Sequence, residues 1–100
     1  MTSLTFNKIL AVIEKIPKGK VMTYGQIAKI LGIKNVQVVG YALHSNLDPK
    51  KYPCHRVIKK DGELALGYAF GGWQKQKELL EKEGVKFIDN RVDMGKHQIN

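Results

Sequence analysis

Residues 23–45 read TYGQIAKILGIKNVQVVGYALHS and contain two short segments whose apolar residues recur at helical spacing. The first segment predicts a helix over 24–31, because Thr23 suits the N-cap position and Gly32 suits the C-terminal cap. The second predicts a helix over 35–45, capped by the asparagine at its start. The inward-facing residues would be Ile27, Ile30 and Leu31 in the first helix and Val36, Val39, Leu43 and Gly40 in the second.

Two short helices joined by a glycine-containing turn form the helix-turn-helix layout of many DNA-binding proteins. The same layout occurs in helical bundles that bind no DNA, so the pattern alone leaves both interpretations open. The outer face of the second helix would carry Gln37, Tyr41 and His44, at steps of four and three residues. These three side chains are therefore candidates for contacts with DNA.

The chain has a formal net charge of +8, from 17 lysines and arginines against 9 aspartates and glutamates. This excess favours polyanionic partners, although lysine-rich surfaces also occur on proteins that bind no nucleic acid. Arg56 and Arg91 are the only arginines. Because lysine suits phosphate neutralisation better than bidentate reading of bases, a nucleic acid would be held mainly through its backbone.

One hundred residues, 43% hydrophobic and 26% charged, indicate a single domain. No apolar run approaches the length of a membrane span, and the N-terminus lacks the pattern of a signal peptide. We therefore expect a cytoplasmic protein (nucleoid-associated if bacterial or archaeal) with no membrane partner. The single cysteine, Cys54, cannot form an internal disulfide, and the histidines show no zinc-ligand spacing with it. No metal and no cofactor are expected.

Helices are also predicted before and after this pair. The first would cover Thr5–Ile16, with Ser3 or Thr5 as its cap, and end at the turn Pro17-Lys18-Gly19. The last would cover Trp73–Lys82, place Leu79 and Leu80 inward, and be closed by Gly84.

The chain between these helices predicts loops and one short hairpin. Residues 46–53 and 67–72 are expected to be loops, and Val57–Ile58 to pair with Leu64–Leu66 around the turn Lys60-Asp61-Gly62. The predicted fold class is thus α+β, mainly helical, a helix-turn-helix (winged-helix-like) DNA-binding domain with a short hairpin. Residues 1–84 would form the DNA-binding and active-site domain. Residues 85–100 would form a polar C-terminal tail, with a short extended piece at 85–88 and loosely ordered from Asp89 onward.

Cys54 is followed directly by His55 and Arg56. A histidine can accept the thiol proton, directly or through water, and the thiolate is the nucleophilic form of cysteine. The nearby arginine would favour the thiolate if it reached the sulfur. A lone cysteine is also commonly a small buried apolar residue, so both interpretations stay open. A cysteine protease would need an acyl-binding cleft and an oxyanion hole, and would leave the basic surface without a role.

The hexapeptide Pro53-Cys54-His55-Arg56-Val57-Ile58 resembles the active-site signature of the O6-alkylguanine-DNA alkyltransferases. Residues 16–24, IPKGKVMTY, resemble the stretch of that family that leads into its helix-turn-helix. Further similar segments are Val39-Gly40-Tyr41-Ala42 with Asn46, which resemble the recognition helix and asparagine hinge, and Gly71-Gly72, Leu79-Leu80 and Glu83-Gly84, which resemble the closing helix. The resemblance extends from about Leu4 to Lys86.

This resemblance implies a single-turnover DNA repair protein, a methylated-DNA–protein-cysteine S-methyltransferase that moves an alkyl group from O6 of guanine to Cys54. The partner implied is double-stranded DNA, entered through its minor groove, with the damaged guanine flipped out of the stack. His55 would take the thiol proton through water and Glu83 would orient its imidazole. Tyr24 would donate a hydrogen bond toward the leaving purine, and Asn46 would hold the loop before the cysteine. The residues expected to contact DNA are Thr23, Tyr24, Gln37, Gly40, Tyr41, His44 and Arg56.

The sequence departs from the family pattern at two places. Gln37 stands seventeen residues before the cysteine, where the family typically has an arginine that fills the space of the flipped base. Residues 59–72 look longer than in the standard transferases, with Tyr68-Ala69-Phe70 before the glycine pair. The range of alkyl groups accepted therefore stays open.

Two other functions are retained as alternatives. The short chain and the tail with Arg91-Val92-Asp93 resemble the alkyltransferase-like proteins, which bind alkylated guanine, lack the cysteine and hand the lesion to excision-repair proteins. The presence of Cys54 favours the transferase. A helix-turn-helix transcription regulator is the second alternative. Its binding to DNA would depend on the base sequence of the site, whereas the binding of a repair protein depends on the lesion.

Overall fold

The structure is a computed structural model that describes residues 4–64 and 71–99, and all statements below refer to these ranges. Ser3 and residues 65–70, which include most of the second predicted loop and part of the predicted hairpin, lie outside them. The helices are α1 (Leu4–Glu14), α2 (Tyr24–Leu31), α3 (Gln37–His44), α4 (Gly72–Lys82) and α5 (Met94–His97). The strands are β1 (Met22–Thr23), β2 (Val57–Ile58), β3 (Phe87–Ile88) and β4 (Arg91–Val92).

Helix α1 forms because its apolar residues share one face, and it buries Ile9, Leu10 and Ile13. It ends two residues before the predicted end, and Ile16 is nevertheless buried. The turn after it carries the chain back into the protein at β1. The first helix is therefore confirmed, with a shorter C-terminal end.

Helix α2 has the predicted limits and the predicted caps. The Thr23 hydroxyl accepts a hydrogen bond from the Gln26 amide, and the Gln26 side chain accepts one from the Thr23 amide, which makes a reciprocal capping box. Gly32 closes the helix in the left-handed conformation, at φ +69°. Of the predicted stripe, Ile27 is fully buried, whereas Ile30 is exposed.

Helix α3 is confirmed in place but is shorter than predicted. Val39 and Leu43 are buried as expected, but Val36 is exposed, because it precedes the helix at its N-cap. Gly40 does not mediate close helix approach, since a Cβ at this position would meet nothing within 4 Å. The Asn35 side chain accepts a hydrogen bond from the Gln37 amide, so it supports the start of the helix.

The hairpin predicted for residues 57–66 lies partly outside the described residues, so its pairing stays a prediction. Its first strand, β2, pairs in parallel with β1, with Met22 opposite Val57 and Thr23 opposite Ile58. The chain does reverse over Lys60–Gly62, where Lys59 donates to the Glu63 carbonyl at 2.8 Å. The parallel pair joins residues 35 positions apart, and this connection places the active-site segment beside the start of α2.

The last residues do not form the expected loosely ordered tail. Strands β3 and β4 form an antiparallel hairpin, and its two turn residues, Asp89 and Asn90, both have positive φ, as a type I′ turn requires. Helix α5 follows, and Val21 bridges to Gln98 beside β1. The apolar residues of the hairpin were too few to show an alternation in the sequence, but Val92 is buried on the domain.

The buried side chains form two clusters on either side of the small parallel sheet. The first cluster lies among α1, α2 and α3 and includes Cys54. The second consists of Val21, Ile58, Leu64, Leu80, Val85 and Val92. Among the described residues, no helix has the length and apolarity needed to span a membrane. The fold is thus mainly helical with two small sheets.

Candidate active site and DNA-contact surface

Cys54 begins a single 3₁₀ turn, Cys54–Arg56, that leads into β2. Pro53, at φ −73° and ψ 73°, forms an inverse γ-turn in which the Cys54 amide donates to the Tyr52 carbonyl at 2.7 Å. Only 4% of Cys54 is exposed, and the residue packs in the first cluster. The proline thus fixes the backbone on which the thiol is presented.

Asn46 lies in the loop between α3 and the cysteine, where it is 2% exposed. Its amide nitrogen donates to the Tyr52 carbonyl at 2.9 Å, and its side-chain oxygen accepts from the Asp48 amide at 2.9 Å. The Tyr52 carbonyl therefore receives hydrogen bonds from both Asn46 and Cys54. This shared acceptor links the end of α3 to the backbone of the thiol.

His55, Arg56 and Glu83 form one buried charge network. Arg56 holds Glu83 by two parallel bonds, Nε to Oε1 at 2.9 Å and Nη2 to Oε2 at 2.6 Å, and its Nη1 donates to the Ile16 carbonyl at 2.7 Å. His55 Nε2 lies 3.0 Å from the same Oε2, at an angle too oblique for a full hydrogen bond. The predicted contact between His55 and Glu83 is therefore present, with Arg56 as a third member.

Arg56 was predicted to contact DNA, but its side chain is only 14% exposed and its guanidinium is already bonded inside the protein. This position does not suit a phosphate contact. The arginine instead neutralises the carboxylate that His55 also faces.

The protonation states in this network follow from burial and from these contacts. Burial lowers the pKa of His55 below its usual 6.5, a shift that Arg56 reinforces and Glu83 opposes. Burial alone would raise the pKa of Glu83, but its hydrogen bonds with Arg56 and its contact with His55 outweigh burial and hold the pKa below its usual value. At neutral pH the site therefore contains a carboxylate and a neutral imidazole that can accept a proton.

Thr23 and Tyr24 lie at the start of α2, and Tyr24 packs against the cluster that contains Cys54. Tyr24 is half-buried, and burial, together with the proximity of Cys54, raises the pKa of its phenol. The phenol therefore stays protonated at neutral pH and is able to donate a hydrogen bond. Thr23 is buried and its hydroxyl caps α2, so its side chain has a structural role where a DNA contact was predicted.

The outer face of α3 carries the remaining residues predicted to contact DNA. Gln37, Tyr41 and His44 are all exposed, and Tyr41 leaves 58% of its surface open. The open space above Gly40 would let a groove wall approach the helix backbone. The structure thus brings these four positions onto one accessible face, separate from the buried network.

Gln76 is a site residue that the sequence analysis missed. It is fully buried on α4, and its amide nitrogen donates to the carbonyls of His55 at 3.1 Å and Val57 at 3.0 Å. These bonds hold the 3₁₀ turn against the helix that carries Glu83. The available signal was its spacing, since Gln76 lies four residues before Leu80 and seven before Glu83 on one helical face.

Within residues 4–64 and 71–99, no group of three or more His, Cys, Asp or Glu side chains is arranged to hold a metal ion.

The comparisons with known proteins bear on the same residues. The family described as "6-O-methylguanine DNA methyltransferase, DNA binding domain" matches residues 5–85. Alkyltransferase-like protein 1 of Schizosaccharomyces pombe is 35% identical over 97 residues, which are 95% of this chain and 87% of that protein. The methylated-DNA–protein-cysteine methyltransferase of Methanothermobacter thermautotrophicus is 44% identical over 78 residues, 78% of this chain and 43% of that protein.

A similar structure is that of S. pombe Atl1 in complex with damaged DNA containing O6-carboxymethylguanine. It superposes with a TM-score of 0.85 at 30% identity and covers 100% of this chain and 99% of that one. The chain spans less than half the length of the methylated-DNA–protein-cysteine methyltransferases that it matches. Because the family match takes in both the α2–α3 region and the Cys54 network, the chain belongs to the O6-alkylguanine-DNA alkyltransferase family of DNA repair proteins.

Proposed function

We propose that this protein transfers an alkyl group from O6 of guanine in double-stranded DNA to Cys54. The observation that carries this proposal is the buried network in which a neutral His55, next to the thiol in sequence, faces the Glu83 carboxylate. A sensor protein has no need of a proton acceptor beside a cysteine, whereas a thiolate nucleophile does.

The proposed step is a displacement at the alkyl carbon. His55 accepts the Cys54 proton, and the thiolate sulfur forms a bond to the alkyl carbon as the bond from that carbon to O6 breaks. The electron pair of the broken bond remains on the guanine, where the Tyr24 phenol donates a hydrogen bond that offsets the developing charge. The resulting thioether is a poor leaving group, so each molecule reacts once.

DNA would bind through the face of α3 that carries Gln37, Tyr41 and His44, with the damaged base flipped toward Cys54. Gln37 would take the place of the flipped base, with a neutral amide that can hydrogen-bond the orphaned cytosine. Flipping by an amide is expected to be weaker than by an arginine, which adds charge and a stacking plane.

The test is intact-protein mass spectrometry after incubation with a duplex that contains O6-methylguanine, with Cys54→Ala as the matched variant. We expect one methylene unit to be added to the wild-type protein and none to the variant. Absence of a mass change in a wild-type protein that still binds the lesion would refute the transfer.

A second candidate function is lesion sensing without transfer. The observation in its favour is the extent of the match to alkyltransferase-like protein 1, which covers 87% of that protein. In this role the protein would bind O6-alkylguanine and recruit excision-repair proteins. The same experiment separates the two functions, because a sensor gives tight, lesion-dependent binding with no change in mass. A transcription regulator would instead prefer one base sequence regardless of the lesion.

A further inference from the structure

Residues 86–99 lie beyond the segment that matches the family model, yet they are bonded to the turn and strand that precede α2. The backbone of this C-terminal segment pairs with Val21, where His97 O accepts from Val21 N at 2.9 Å and Ile99 N donates to Val21 O at 3.0 Å. Val21 directly precedes β1, which leads into Tyr24. The C-terminal segment is therefore joined to the strand from which the α2 side of the site begins.

His97 is the most constrained side chain of the C-terminal segment. It is 7% exposed, its Nδ1 lies 2.9 Å from the Gly19 carbonyl, and its Nε2 accepts from the Lys86 amide at 2.9 Å. Because Lys86 N–H can only donate, Nε2 is the unprotonated nitrogen and Nδ1 carries the proton to Gly19. A neutral imidazole thus ties two backbone segments that are far apart in the sequence.

These two segments are the ones that hold Arg56. Arg56 bridges the Ile16 carbonyl to the Glu83 carboxylate, whereas His97 bridges Gly19 to Lys86. Each partner of His97 lies three residues after a partner of Arg56. The two side chains are therefore parallel bridges across the same pair of turns.

The two turns also touch each other between the bridges. A Cβ on Gly19 would lie 3.4 Å from the Glu83 carbonyl, so the first turn approaches closely the end of α4 that bears the site carboxylate. Loss of the His97 side-chain bridge would leave Arg56 to link the two turns through its own side chain, beside the backbone pairing of Val21, and Arg56 also orients Glu83.

We propose that His97 is a positioning residue for the site, which fixes Glu83 and Arg56 relative to His55 by holding the Gly19 and Lys86 turns together. The proposal rests on the proposed function insofar as Glu83 and His55 serve the transfer. The structural part of the proposal, that His97 controls the surroundings of His55, does not depend on whether the protein transfers an alkyl group.

The test compares three full-length variants. His97→Leu removes both bonds at similar volume, and His97→Gln keeps one donor and one acceptor on its amide. Val92→Ala serves as the control, because it lowers stability by a cavity in the same C-terminal segment and leaves both bridges in place. Thermal unfolding shows that each variant is folded at the temperature of the measurement.

The first readout is the protonation midpoint of His55, followed through its ring resonances by NMR in the absence of DNA. The charged groups that bear on His55 are Glu83 and Arg56. With His97→Leu we expect water to reach the loosened network and the midpoint to rise by roughly half a pH unit, about threefold in the protonation equilibrium. His97→Gln should restore most of the wild-type value, and Val92→Ala should not change it.

The second readout is the single-turnover rate of methyl transfer at pH 7, which we expect His97→Leu to lower by roughly tenfold, more than Val92→Ala does. An unchanged His55 midpoint in folded His97→Leu would overturn the proposal, as would an equal shift in Val92→Ala. If the protein transfers no alkyl group at all, only the proposed function fails, because the His55 midpoint still decides the role of His97.

Discussion

Glu83 contacts two basic side chains, Arg56 and His55, and Arg56 holds it more tightly. This difference determines the protonation states in the site. Arg56 takes both carboxylate oxygens, whereas His55 reaches only Oε2, at 3.0 Å. An arginine stays charged at every pH of interest, so it neutralises much of the carboxylate that would otherwise favour a charged imidazole. Burial then dominates at His55 and keeps it neutral, as a proton acceptor for a neighbouring thiol must be.

Replacing Arg56 by Met should therefore change both stability and pH dependence. We expect the free energy of unfolding to fall by roughly 2–3 kcal/mol, since a partly buried carboxylate loses its main partner. Without the guanidinium the pKa of His55 should rise, so the acid side of the transfer rate should move to higher pH. Chemical denaturation and single-turnover rates measured between pH 5 and pH 8, about one and a half units either side of the ordinary histidine value, would show both effects.

The matched control is Arg91→Met, because Arg91 also pairs with a glutamate, Glu63, at 3.1 Å, but with half of each side chain exposed. The stability of this variant should change by no more than about 0.5 kcal/mol. An equal response to both substitutions would contradict this account.

The stability of the wild-type protein should depend on pH with a definite sign. His55 has a lowered pKa in the folded state, so the unfolded chain takes up a proton first as pH falls below 6.5, and stability is lost on the acid side.

Gln76 is the second polar side chain on which the site depends. Gln76→Leu would leave the carbonyls of His55 and Val57 without the donor that now satisfies them inside the protein. We expect a loss of roughly 2 kcal/mol in the free energy of unfolding and slower transfer, because the turn that carries Cys54 is less constrained. Gln74→Leu, on the exposed side of the same helix, should alter neither quantity. Equal denaturation midpoints for the two variants would show that these hydrogen bonds contribute little.

The packing of the C-terminal hairpin on the Lys60–Gly62 turn can be tested with a pair of glycines. Gly62 and Gly32 have φ values of +86° and +69°, so alanine strains the backbone at both. At Gly62 the new Cβ would also lie 2.6 Å from the Val92 carbonyl of β4, whereas at Gly32 it would meet nothing. We expect Gly32→Ala to cost about 1 kcal/mol and Gly62→Ala clearly more, because β4 must shift. Urea denaturation of both variants gives the comparison, and equal losses would mean that β4 is not held against the turn.

The elements that could be predicted from the sequence are those whose signals are local. The limits of α2 follow from Thr23 and Gly32, and the end of α4 follows from Gly84, which sits at φ +88° while Val85 N donates to Leu80 O in a Schellman closure. The pairing of β1 with β2 could not be predicted, since two-residue strands show no alternation and their register is set by packing. The same holds for the hairpin at β3 and β4, whose strands also have only two residues each.

The residues of the candidate site also differ in whether the sequence carries a signal for them. Cys54 and His55 were candidates because a histidine follows the single cysteine, and Glu83 was identified through the family resemblance. The structure places the histidine and the carboxylate in contact. The roles of Gln76 and His97 were not predictable, because each acts on backbone atoms of residues distant in sequence. Arg56 was assigned to DNA for its charge, and only the fold shows that its partner is Glu83.

Over the whole molecule, the charge is unevenly distributed along the chain. Residues 4–53 carry eight lysines and two acidic residues, whereas residues 54–99 carry nine basic and seven acidic residues. The positive excess therefore belongs mainly to the part of the fold that contains α2 and α3. This arrangement favours approach of a polyanion from the α3 face, which also carries the exposed Tyr41.

Binding to DNA should accordingly depend strongly on salt, and the lysines near α3 should account for the dependence. Lys34 lies in the turn between α2 and α3 and is exposed, so Lys34→Gln should weaken binding to damaged and undamaged duplexes alike and reduce the salt slope by about one ion. Lys82→Gln removes the same charge from α4, where Lys82 pairs with Glu78 at 3.2 Å, and should leave the slope unchanged. Fluorescence anisotropy over a salt series measures both. Equal slopes for the two variants would place the DNA elsewhere on the surface, whereas a loss confined to the damaged duplex would make Lys34 part of lesion recognition.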